Sequence, residues 1–152
     1  KELEESAIGI TLGAIAVGMP GILKLFSKIS QGIGWLFGLN KGDGNMASRF
    51  LAKISHSLHM TYVKLIARGL KKAYPSRYDK NKDGDVDNFE LKEQLMDDAE
   101  KMYAGILVAT AVATGVSMAN ASSQIVSSLK AAEIGVDAAD IAIIARNIAS
   151  RA

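Results

Sequence analysis

The chain has no cysteine, only two prolines among its 152 residues, and aromatic side chains at just 6%. Without cysteine there is no disulfide framework and no thiolate-bound zinc. With so few large rings, much of the apolar content falls to Ala, Ile, Val and Gly, a bias that favours close helix packing over a bulky core. Strand signals are nearly absent. No glycine-rich phosphate loop follows a strand, the pattern GxSxG does not occur, and Ser, His and Asp show no nucleophile arrangement. No active site is legible, and the chain is read as non-enzymatic. His56 and His59 stand three residues apart with no glutamate between them and no third ligand nearby, so ordinary surface or partly buried histidines are expected there, not zinc.

What is present is length for a real core and 49% hydrophobic residues, near the globular average. The chain opens on Lys1 and reads as a processed product or a segment of a longer polypeptide; the acidic start KELEES is not that of a signal peptide. Net charge is only +2, yet the signs are segregated. Residues 41–78 carry Lys41, Arg49, Lys53, Lys64, Arg68, Lys71, Lys72 and Arg77 against the single acid Asp43. Residues 79–100 hold nine acids against Lys80, Lys82 and Lys92. A basic helix thus runs into an acidic loop and helix, each with a solvated polar face. The basic helix lacks interleaved aromatics beyond Tyr62 and Tyr74, so no nucleic-acid partner is expected.

The periodicity predicts an all-α array of four to five long helices, forming a single helical domain or a segment of a larger protein. Residues 1–40 hold apolar helices: "AIGITLGAIAVG" at 7–18, then an element opened by Pro20, with Leu23, Phe26, Ile29, Ile33 and Leu36 at helical spacing. Residues 45–74 form a basic amphipathic helix, capped by Asn45 and ended by Pro75, with Phe50, Ile54, Leu58, Tyr62, Leu65 and Leu70 along its apolar stripe. Residues 91–131 form a helix that is acidic first and then uncharged and small-residue from Gly105 to Val126, where Ala109, Ala113 and Gly115 favour close backbone approach. Gly135 breaks the pattern, and Asp137 caps a last helix over 137–151 with Ile141, Ile144 and Ile148 as its stripe.

The remaining stretch, "DKNKDGDVDNFE" from Asp79 to Glu90, carries the chemistry. Calcium takes six to eight oxygens in flexible geometry, and one tight loop supplies them when alternate residues point inward. Asp79, Asn81 and Asp83 stand at loop positions 1, 3 and 5. Gly84 stands at 6, where the backbone turns sharply. Asp85 offers its carbonyl at 7, Val86 anchors the loop at 8, and Asp87 stands at 9. Glu90 closes the set at 12, in the first turn of the exiting helix. So many carboxylates in one short loop repel each other unless a cation neutralises them.

This spacing resembles the EF-hand pattern at every constrained position, over these twelve residues and the exiting helix, where Leu91 and Leu95 also fit. The resemblance implies a bound Ca²⁺ held by Asp79, Asn81, Asp83, Asp85, Asp87 and Glu90. The chain departs from the family at Pro75, four residues ahead of the loop, and in having one loop where EF-hands work in pairs. A lone loop implies a structural clamp between the basic and acidic helices. In texture the uncharged Gly/Ala/Val/Ile helices are similar to those of virion components such as the terminal part of a phage tail tape-measure or ejection protein. That likeness implies self-association or packing with other subunits of an assembly, membrane contact after release, and a virion-associated or membrane-associated location. Two further readings stay open: a calcium-dependent regulatory module, and an integral membrane protein with spans at 7–23 and 105–126.

Overall fold

The computed structural model describes residues 55–74, 89–113 and 115–151, together with five isolated positions between Gly21 and Gln31. Among the described residues there are four full helices and no strand: α1 (His56–Ala73), α2 (Phe89–Ala113), α3 (Met118–Ala131) and α4 (Ala138–Arg151). The all-α expectation holds for them. The apolar elements before residue 40, and the cap expected at Asn45, lie outside the described residues.

α1 begins ten residues later than its hydrophobic pattern suggests. Ser55 adopts an extended backbone and its Oγ accepts from the Leu58 N–H at 3.1 Å, so the serine stops the helix from continuing upstream. The buried face is also rotated from the expected stripe. His59, Val63, Ile66, Ala67 and Leu70 are buried, whereas Leu58 is 45% exposed and Tyr62 and Leu65 are only half-buried. One residue is 100° of helix, so admitting the polar His59 to the core moves the whole face round by that angle. The helix ends at Ala73, with the Tyr74 N–H bonding the Leu70 carbonyl at 2.9 Å and Lys71 and Lys72 in the last turn against the negative end of the dipole.

α2 is the centre of the fold, and α1, α3 and α4 all pack against it. From Met102 to Ala111 every residue is buried, so no face of that stretch meets water. A helix enclosed on all sides has to be apolar on all sides, which accounts for the absence of charge from Met102 to Ala111. The Thr110 hydroxyl bonds back to the Ile106 carbonyl at 2.8 Å. No helix of the described residues is long and apolar enough to cross a membrane.

The expected continuous helix over 91–131 is instead two helices. α2 stops at Ala113, Gly115 takes a positive φ of 105°, and Ser117 caps α3 by accepting from the Asn120 N–H. The segment 105–126 is therefore bent in its middle, and the membrane span proposed for it does not exist as one helix. Gly115 serves as this turn, not as a point of close approach. That role belongs to Gly105, discussed below.

The same hydrogen-bond frame ends α2 and α3. At the first, Val116 N–H bonds Ala111 O at 3.2 Å and Gly115 N–H bonds Val112 O at 3.0 Å. At the second, Ile134 N–H bonds Leu129 O at 2.7 Å and Glu133 N–H bonds Lys130 O at 3.0 Å. Both are Schellman endings, which put one residue in the left-handed region. In the first it is Gly115; in the second it is Glu133, with φ of 68°. The break expected at Gly135 thus falls two residues earlier, where a buried contact between Ile134 and Leu129 outweighs the strain on a side chain that glycine would avoid.

α4 meets its sequence reading closely. Asp137 Oδ1 accepts from the Ala139 N–H at 2.8 Å, and Ile141, Ile144 and Ile148 are buried. Lys101 meets Asp140, and Gly105 meets Ile144 four residues further along both helices. Equal steps in the same sense mean that α2 and α4 run parallel, with α3 returning between them.

Candidate calcium loop and the polar contacts beside it

The connection between α1 and α2 is where the metal ligands were predicted. Asp79, Asn81, Asp83, Asp85 and Asp87 lie outside the described residues, as does the side chain of Glu90. The helix bounds on either side are described. α1 ends at Ala73, α2 is described from Phe89 and includes Glu90, and the two helices pack on each other. Leu95, one turn further on, is 9% exposed and part of the core, which ties the exiting helix to the bundle. Among the described residues, no group of three or more His, Asp or Glu side chains could hold a metal.

The two histidines of α1 go separate ways. His56 is exposed, and its Nδ1–H donates to the Ala132 carbonyl at 2.8 Å, tying the start of α1 to the α3–α4 connection. His59 is fully buried, beyond the surface or half-buried setting expected of it, and its Nδ1 lies 2.6 Å from the Tyr103 hydroxyl. Burial, and secondarily the neighbouring Tyr62, push the Tyr103 phenol well above the usual tyrosine range. The phenol therefore keeps its proton and stays neutral in its hydrogen bond with Nδ1. Tyr62 stacks on Tyr103 at 6.0 Å between ring centroids, and His59 meets the same ring edge-on at 5.5 Å. The pair is a buried polar link between α1 and α2.

A second polar group lies on the α2 face that α4 covers. Lys101 Nζ reaches Asp97 Oδ2 at 3.4 Å along its own helix and Asp140 Oδ2 at 3.5 Å across to α4. Burial lowers the Lys101 ammonium pKa, but the two carboxylates outweigh it and the net shift is upward. Glu100 is raised, first by burial and then by Asp97, with His56 pulling the other way. This arrangement fastens helices and contains no activated nucleophile.

Neither Lys101–Asp140 nor His59–Tyr103 was foreseen from the sequence. The partners are 39 and 44 residues apart, and nothing local marks them. No protein family, curated protein or solved structure matches this chain.

Proposed function

We propose that the chain is a non-enzymatic, calcium-binding structural protein of a larger assembly, in which Ca²⁺ clamps α1 to α2. Asp79, Asn81, Asp83, Asp85, Asp87 and Glu90 hold the ion, and binding neutralises carboxylates that otherwise repel. What supports this reading is the ligand spacing of residues 79–90, which lies between two helices that pack on each other, α1 ending at Ala73 and α2 described from Phe89. The small-residue helices then serve self-association, as in a virion component of the tape-measure or ejection type.

Calorimetric titration of the full chain with Ca²⁺ tests the clamp. One ion is expected to bind, and Asp79→Ala with Glu90→Ala is expected to abolish the heat. Calcium at about a hundred times its dissociation constant should raise stability by about 2.7 kcal/mol. Undiminished calcium affinity in the double variant would remove the reading.

A further inference from the structure

α1 is a helix without an acid: it holds Lys64, Arg68, Lys71 and Lys72 and neither Asp nor Glu. Lys64, Arg68 and Lys72 follow one another at four-residue spacing, on the side of α1 away from its buried face of Val63, Ile66 and Leu70. All three are exposed, and among the described residues none makes an ion pair. A face that is only solvated mixes its signs, as the exposed start of α2 does with Lys92, Glu93 and Asp97. The ridge on α1 has one sign. Its edge is apolar. Leu58, at 45%, is the one large hydrophobic side chain exposed among the described residues, and half-buried Leu65 lies two turns further along the same line. The three cations and two leucines fall within about 120° of arc and along about 21 Å of helix axis.

We propose that this ridge docks the protein on an anionic lipid surface, with α1 lying along the headgroups. Lys64, Arg68 and Lys72 then meet lipid phosphates and carboxylates, while Leu58 and Leu65 enter the boundary between headgroups and acyl chains. Charge complementarity calls for a polyanion, and two observations select lipid. The apolar edge gains from a headgroup boundary and gains nothing from the phosphates of a duplex. The exposed ridge also offers no ring to stack on a base, since Tyr62 is half-buried and stacked on Tyr103. Docking needs no insertion of the helix. The opposite face of α1 stays packed on α2, and no helix of the described residues is long and apolar enough to cross a bilayer. Each cation held near such a surface raises affinity about fivefold, so the three together raise it about a hundredfold. The contact goes beyond the calcium clamp and does not depend on it.

Cosedimentation of the full chain with lipid vesicles tests it, with calcium present throughout. The wild-type chain is expected to bind vesicles of phosphatidylcholine mixed with phosphatidylserine and to ignore vesicles of phosphatidylcholine alone. Salt at about 1 M should release it. Lys64→Gln, Arg68→Gln and Lys72→Gln together should cut affinity about a hundredfold. Helix content by circular dichroism should stay unchanged, because the three side chains are exposed and unpaired. Leu58→Gln should weaken binding severalfold. Lys24→Gln, Lys28→Gln and Lys130→Gln together remove the same charge from exposed positions elsewhere, and that chain should bind as the wild type does. Equal losses in the two triple variants would make binding a matter of net charge and overturn the ridge. Full binding by the first triple variant, as calcium bridging through the acidic loop would give, overturns it too. So does a wild-type chain that ignores phosphatidylserine but forms an oligomer dissolved by the same three substitutions, which would assign the ridge to the acids of a second copy. Calcium titration of the triple variant keeps the readings apart: retained calcium binding with lost vesicle binding leaves the clamp standing, and vesicle binding without calcium binding sinks only the clamp.

Discussion

Gly105 and Ile144 touch where α2 and α4 cross, so closely that a β-carbon on Gly105 would lie 2.5 Å from Ile144 Cγ2 and 3.0 Å from its Cβ. The obstructing atoms sit on a β-branched side chain that cannot swing aside, because its χ1 is fixed by its own helix. The glycine is what brings the two backbones together.

Gly105→Ala is therefore expected to destabilise the fold by about 2 kcal/mol, the overpacking cost exceeding the gain of about 1 kcal/mol in helix propensity. In an Ile144→Ala background the 2.5 Å clash is gone and only the 3.0 Å approach to Cβ remains, so the same change should cost clearly less. Urea unfolding of the four chains in this cycle measures the coupling. Additive effects would mean that the two backbones are not in contact.

Glu133 is expected to be the easiest place to gain stability. Its left-handed backbone strains a side chain that glycine lacks, and the hydrogen bonds of the turn involve only main chain. Glu133→Gly should raise stability by about 1 kcal/mol, whereas Gly115→Ala, in the equivalent position of the first turn, should lower it by a similar amount. Thermal midpoints moving in the same direction would contradict the shared geometry.

Alkaline pH should weaken the fold through Tyr103. Its phenol is raised in the folded chain, while in the unfolded chain it ionises near pH 10. Above that pH the unfolded state binds fewer protons, so stability falls as pH rises. Lys101, also raised, acts in the same sense above its ordinary value. The thermal midpoint should therefore drop once pH passes about 10, and less steeply in Tyr103→Phe. That variant should also lose about 1–3 kcal/mol at neutral pH, because the buried His59 Nδ1 loses its hydrogen bond to the phenol. Phenolate absorbance from all four tyrosines while the chain remains folded would refute the burial argument.

The sequence disclosed helices better than faces. Ile141, Ile144 and Ile148 were legible because the buried stripe of α4 is purely aliphatic and its cap, Asp137, stands just ahead of it. α1 was misread because hydropathy ranks Leu58 above His59, while the fold buries the histidine against a hydroxyl supplied by a distant helix. The uncharged run after Gly105 concealed a turn, since Gly115 and Ser117 act through backbone conformation and a cap, which composition does not weigh. Of the candidate site, the ligand spacing was legible and the polar fastenings around α2 were not, because each joins residues that only the tertiary fold brings together.

The enclosure of α2 from Met102 to Ala111 also governs when its amides meet solvent. No local opening of a single neighbouring helix uncovers all of that stretch, so its slowest-exchanging hydrogens should be released only when the whole fold opens. Their exchange rate becomes a clock for global unfolding, against which the fraying of α1, α3 and α4 can each be timed.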